Sequence, residues 1–152
     1  MNKTVASVMT NDPYVVSRAA SVVDAALIMR DQDVGSVPVV EQGRLVGIVT
    51  DRDIALRVVA EALDPKYTKV EDVATSNLHS AAPDESLDDV YERMSIWRVR
   101  RLPVVEHDGM LVGMIAQADL VHELKDKKAG QLVDEISQPG GTFYTRPEVG
   151  IN

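Results

Sequence analysis

Val34-Gly35-Ser36-Val37-Pro38-Val39-Val40-Glu41 is echoed later in the chain by Val99-Arg100-Arg101-Leu102-Pro103-Val104-Val105-Glu106, a displacement of 65 residues. Gly43-Arg44-Leu45-Val46-Gly47-Ile48 then returns as Gly109-Met110-Leu111-Val112-Gly113-Met114, and Asp53 as Asp119, now displaced by 66, so the second copy carries one extra turn residue. Upstream the register stays at 65, pairing Val5 with Val70, Val8 with Val73, Thr10 with Thr75, Ser21 with Ser86, Asp24 with Asp89 and Met29 with Met94. Matches spread over nearly a whole repeat point to duplication of a folded unit rather than to a chance motif.

Both copies read in the same order. Ser21-x-x-Asp24 and Ser86-x-x-Asp89 resemble capping boxes with Asp in the usual Glu/Gln place, and predict helices running to about Gln32 and Trp97. In the second of these, Leu87, Val90, Met94 and Trp97 form one apolar stripe, which faces a core. The first, with Val22, Val23, Ala25, Ala26, Leu27, Ile28 and Met29, is apolar nearly all round, which predicts burial on more than one side, a partner chain being one way to supply the second. Val37 to Val40 and Leu45 to Val49 flank Glu41-Gln42-Gly43-Arg44 as a hairpin, and His107-Asp108-Gly109 makes the same join in the second copy. A second helix follows, with Ile54, Ala55, Val58, Val59 and Ala62 on one side in copy one and Leu120, Val121 and Leu124 in copy two. A unit of about 60 residues buries only about 60% of its unfolded surface, so two copies sharing a core are expected.

The resulting boundaries are 1–63 and 64–128 for the two copies, with Leu63 to Lys69 as a linker, and 129–152 as a tail. In that tail Leu132 to Ile136 is expected to form a helical turn or two, Gln138-Pro139-Gly140-Gly141 to break it, and the remainder to be mobile.

With 45% hydrophobic and 26% charged residues over 152 positions, the chain reads as a soluble globular protein. A formal net charge of −8 opposes nucleic-acid and anionic-membrane partners. The chain has no cysteine, which removes disulfides, thiolate metal sites and cysteine nucleophiles together and fits a cytoplasmic setting. Met1 to Thr10 lacks the apolar run of a signal peptide, and no stretch approaches a membrane span, so no leader is expected to be removed.

Gly47-Ile48-Val49-Thr50-Asp51-Arg52-Asp53 places a hydroxyl at a strand end and a carboxylate three residues on, in the first turn of a helix. A carboxylate there can accept two hydrogen bonds from a ribose diol, while Thr50 and free N–H groups receive phosphate oxygens. The competing reading is a plain helix cap. Copy two keeps Asp119 although Ala116 has replaced the cap partner, and keeps the Pro-containing strand with it.

The paired Gly-h-x-Thr/Ser-x-x-Asp and h-h-x-h-Pro motifs (h apolar), spread over Val5 to Lys128, resemble the cystathionine β-synthase (CBS) domain pair, or Bateman module. The resemblance implies an α/β (α+β) fold of two β-α-β-β-α units about a pseudo-twofold axis, with clefts between them for adenine nucleotides such as AMP, ADP and ATP or a related adenosyl ligand. Carried over by position, Thr50 is similar to the phosphate- and ribose-proximal hydroxyl and Asp53 to the ribose carboxylate, while Ser36, Val37 and Pro38 match the strand whose backbone reads adenine. Asp119 and Arg101, Leu102 and Pro103 are their second-copy counterparts. Ala116 departs from the pattern, so the two sites are expected to differ in affinity or ligand. A homodimer is implied as well.

Arg52, within the first motif, and Arg93, Arg98, Arg100 and Arg101 are candidates to neutralise ligand phosphates; the alternative is solvation or pairing with Asp88, Asp89 and Glu92. His79, His107 and His122 have no metal-ligand spacing, and Asp51-x-Asp53 is explained as well by a solvated helix start as by Mg²⁺, so no metal is assigned. No nucleophile or base pattern emerges, no catalytic residue is assigned and no cofactor is required. The expectation is a non-enzymatic regulatory module with an adenine nucleotide as effector, signalling through an unidentified effector protein or self-association. The alternative is a dimeric scaffold indifferent to ligands.

Overall fold

The computed structural model describes residues 3–76 and 78–125; the expected turn at Leu132 to Ile136 and the tail lie outside them. The described residues divide into two compact units. One, built on copy one, comprises 12–79 without 77, together with 105–111; the other, built on copy two, comprises 3–11, 80–104 and 112–125.

In the first-copy unit the sheet order is β2-β3-β4, with β2 at Val16–Ser17, β3 at Ser36–Glu41 and β4 at Arg44–Thr50. β2 runs parallel to β3, pairing Val16 with Val39 and Ser17 with Val40. β3 and β4 are antiparallel, from Ser36 opposite Thr50 to Glu41 opposite Arg44, with a bulge between Val39 and Val40. Gln42 (φ 52°) and Gly43 (φ 81°) close the hairpin as a two-residue loop with both residues left-handed, the turn whose twist matches the flanking strands. Helix α2 (Val22–Gln32) crosses between β2 and β3; the Ser21 hydroxyl accepts the Asp24 N–H at 3.3 Å, and Asp33 ends it in the left-handed region. Valine dominates the core: Val16, Val22, Val37, Val39, Val49, Val58, Val70 and Val73 surround Ala25. Branched side chains suit both the strands and the short contacts of a small unit.

Within the chain, α2 buries Val22 and Ala25, packs Ile28 and Met29 partly buried against the core, and leaves Leu27 40% exposed. One expectation is corrected. The helix after β4 is α-helical only over Asp51–Ile54 (α3) and continues as a π-helical turn, Ala55–Val59, in which Ala60 N–H reaches back to the Ala55 carbonyl. The extra residue per turn rotates the apolar face, so of the five residues expected on it only Val58 is buried, and Val59 is 71% exposed.

In the second-copy unit the order is β1-β6-β5, from β1 (Thr10–Asn11), β5 (Arg101–Val105) and β6 (Leu111–Ala116). Ala81 adds a parallel bridge to Val104, the remnant of the strand that β2 forms in copy one. Two elements precede β5: α4 (Val70–Val73), which packs in the first-copy unit, and α5 (Leu87–Trp97), capped by Ser86. Leu87, Val90 and Met94 of the expected stripe are buried with Tyr91, and Trp97 packs partly buried against them. The core continues through Val5, Leu102, Val104, Ile115 and, on the helix described over 117–125 (α6), Leu120 and Leu124.

The start of each repeat packs with the strands of the other. Helix α1 (Val5–Val8) and β1 belong to the second-copy unit, with Thr10 opposite Met114 on β6. Helix α4 belongs to the first-copy unit, where Thr75 and Ile48 exchange two backbone hydrogen bonds of 2.9 Å. Residues 105–111 likewise join the first-copy unit, Leu45 N–H donating to the Gly109 carbonyl and Leu111 N–H to the Gly43 carbonyl, both at 3.0 Å.

Candidate functional site

At the first-copy junction β4 runs directly into α3, and Thr50 is the N-cap. Its hydroxyl accepts the Asp53 N–H at 3.0 Å, while Asp53 Oδ2 accepts the Thr50 N–H at 2.9 Å, a reciprocal capping box. Ser36 sits opposite Thr50 across the hairpin, so Ser36, Thr50 and Asp53 are brought together. The Gly35 carbonyl accepts the Asp51 N–H at 2.9 Å, and a Cβ on Gly35 would stand 3.0 Å from Asp51 Oδ2; glycine lets the strand start approach the helix start.

Asp53 is 9% exposed. Its Oδ1 lies 3.6 Å from the Arg57 guanidinium, which donates a 2.7 Å hydrogen bond to the Val73 carbonyl at the end of α4. A carboxylate offers about four lone-pair sites, so the box and the ion pair leave acceptor capacity for a further donor. Val37 and Pro38 are buried; what they present beyond the core is backbone. β2 pairs only with Val39 and Val40, so Ser36 to Pro38 extend past its end. Arg52 is exposed, its N–H held by Asp51 Oδ1 at 2.8 Å.

The second-copy junction repeats half of this arrangement. The Ala116 N–H donates to Asp119 Oδ2 at 3.2 Å, but alanine has no hydroxyl to return the bond. The Gln117 N–H donates to the Arg100 carbonyl at 2.9 Å, the counterpart of Asp51 with Gly35. Leu102 and Pro103 are buried and Arg101 is exposed, while the Pro103 carbonyl accepts the Ala81 N–H. Where copy one has Arg57, copy two has Glu123, which pairs with Lys3; that ammonium holds the Glu123 carboxyl below the usual carboxylate range.

Of the other arginines, Arg93 is committed elsewhere, and to a different partner from the carboxylates expected. It binds both oxygens of Glu85 and lies 5.4 Å from the Trp97 ring centroid. The Glu85 carboxyl is lowered, first by the Arg93 hydrogen bonds, with burial opposing and the Ala82 N–H assisting. Arg98 ends α5 in the left-handed region, and Arg98 and Arg100 are exposed. Among the described residues no group of three or more His, Asp or Glu is placed to hold a metal ion, and no helix is long and apolar enough to cross a membrane.

Three residues at the junctions were missed in the sequence. Arg57 was accessible, being four residues from Asp53 on a helix, the spacing of an ion pair. Gly35 and the buried Gln117 carry no local signal, because their partners lie 16 and 17 residues away (51 − 35, 117 − 100).

Comparison with known proteins gives a consistent result. The family model for the CBS domain matches twice, over residues 5–60 and 70–126. A CBS domain-containing protein, YhcV, of Bacillus subtilis is 41% identical over 130 residues, covering 85% of this chain and 91% of the relative. The solved structure of CBSX2 in complex with AMP superposes with a TM-score of 0.69 at 28% identity, covering 81% of this chain and 96% of that one. The CBS domain pair of MJ0100, solved with 5′-methylthioadenosine and S-adenosyl-L-methionine, gives a TM-score of 0.72 at 28% identity, covering 84% and 100%.

Proposed function

The chain belongs to the CBS-domain family, and from that premise we propose that it is a regulatory module whose effector is an adenosine-type ligand. The observation that carries the reading is the first-copy junction, where a nearly buried carboxylate is fixed by its own helix start yet keeps acceptor capacity. AMP, methylthioadenosine and S-adenosylmethionine, bound by the solved relatives, share adenine and an intact ribose diol and differ in what the 5′ carbon carries. A carboxylate that accepts from that diol selects the shared part. In this reading Asp53 takes the ribose, Thr50 the 5′ substituent, and the backbone of Ser36, Val37 and Pro38 the adenine edge, with Arg52 free to meet a phosphate. Arg101, Leu102, Pro103 and Asp119 are the corresponding set in copy two.

The output passes to an effector protein or through self-association as a homodimer, and the ligand biases that equilibrium by its differential affinity for the two states. The reading is non-catalytic, since the assigned groups bind and none is placed as nucleophile or base.

A second reading has an observation of its own: the Thr50–Asp53 box accounts for both side chains as a cap, as an interaction protein indifferent to nucleotides would need. Thermal unfolding with AMP, ADP, ATP, NAD(H) and S-adenosylmethionine separates them. At about 100 times its Kd an adenosyl ligand adds roughly 2.7 kcal/mol of stability. A flat response to the whole panel supports the scaffold.

A further inference from the structure

We propose that Arg57 is a positioning residue that makes copy one the nucleoside site, and that Glu123, its counterpart, withholds that role from copy two. The inference rests on the adenosine reading above and assigns the determinant that makes the two copies unequal.

Asp53 Oδ2 already accepts the Thr50 N–H, so Oδ1 is the oxygen with the greater remaining acceptor capacity for a ligand diol. Arg57 stands 3.6 Å from Oδ1, beyond hydrogen-bond reach but within ion-pair distance, so it fixes the carboxylate by its field without consuming the lone pairs. Its own place is secured by the 2.7 Å bond to the Val73 carbonyl, next to the segment where Thr75 lies on β4. It also sits in the middle of the π-helical turn Ala55–Val59, the departure from regular helix that shapes this part of the unit. Such turns recur where a side chain must be re-aimed for function.

Copy two inverts the arrangement. Glu123 follows Asp119 by four residues on a helix, the spacing at which like charges repel, and the cation it binds, Lys3, comes from before α1. With Ala116 in the cap position as well, Asp119 lacks both the hydroxyl and the guanidinium that attend Asp53.

The test is calorimetric titration with 5′-AMP and 2′-deoxy-5′-AMP. Wild-type chain is expected to bind AMP at one site and to prefer it to the deoxy compound. Arg57→Met should weaken AMP by about tenfold or more and collapse the ribo-over-deoxy preference, and Arg57→Lys should restore part of both. That preference is a ratio, so loss of folded protein does not move it, and a merely structural role for Arg57 leaves it intact. The double variant Ala116→Thr, Glu123→Arg should gain a second binding event. Two equivalent sites in the wild type, or an Arg57→Met variant with wild-type affinity and preference, overturns this inference and leaves the adenosine reading standing. A wild-type chain that binds neither compound overturns this inference for AMP, and one that also ignores S-adenosylmethionine and the rest of the adenosyl panel removes both.

Discussion

Thr50 and Asp53 hold each other through two hydrogen bonds, each backbone N–H donating to the other's side chain, at 3.0 and 2.9 Å. The same atoms therefore start a helix and aim a carboxylate. Thr50→Ala, which gives copy one the residue present at 116, should cost about 1 kcal/mol in urea unfolding. Asp53→Ala should cost more, about 1–3 kcal/mol, because it strands the partly buried Thr50 N–H and removes the partner of Arg57 as well. Each substitution removes one of the two bonds, so equal losses would mean that the two contribute alike and that the Arg57 ion pair adds nothing.

Glu85 and Arg93 set an acid limit on stability. The folded carboxyl lies below its ordinary 4.5, so the folded state binds fewer protons than the unfolded chain there. The stabilisation is complete above pH 4.5 and is lost as pH falls through the lower folded value. With side chains 30% and 27% exposed, solvent screening discounts the pair to about 1 kcal/mol. Glu85→Gln should lower stability at pH 7 by about that amount and flatten the acid limb. A variant whose pH profile parallels the wild type would place the acid sensitivity elsewhere.

Gly47 and Gly113 are repeat counterparts with unequal room. A Cβ at Gly113 would meet the Thr10 carbonyl oxygen at 2.8 Å and Met9 Sδ at 2.6 Å; at Gly47 the nearest contact is the Thr75 carbonyl at 3.1 Å. Gly113→Ala should cost about 1–3 kcal/mol and Gly47→Ala less, read as urea midpoints. The reverse order would contradict the packing of β1 on β6.

The π-helical turn makes neighbours differ. Val58→Ser leaves a cavity and a buried hydroxyl and should destabilise by about 2–3 kcal/mol, whereas Val59→Ser, at a 71% exposed position, should stay within about 0.5 kcal/mol in dilute solution. Comparable losses would restore the regular helix face expected from the sequence.

Much of this was legible from residues in short-range or repeated relationships. Ser21 and Ser86 announced α2 and α5, Gln42-Gly43 the hairpin, and the displacement of 65 to 66 residues the pair of units. The motif joined Thr50 with Asp53, and the family resemblance added Ser36, which the hairpin register sets opposite Thr50. What escaped depended on distance along the chain or on helix phase. The periodicity that groups Ile54 with Val59 assumes regular α-helical turns, and the π-helical turn breaks that assumption. The exchange of α1 and α4 between the units is invisible to a register that simply aligns Val5 with Val70, because both copies obey it equally. Arg93 was read against Asp88, Asp89 and Glu92 because they are near in sequence, whereas Glu85, eight residues back, holds it.

Calorimetry of AMP binding to wild-type chain and to Asp53→Asn, which preserves shape and an acceptor for the Thr50 N–H while removing the charge, probes the ribose role at its source. The expected result is saturable binding by the wild type, weakened about tenfold or more in the variant. Indistinguishable isotherms for the two proteins, or no heat from either with AMP and with S-adenosylmethionine alike, would contradict it.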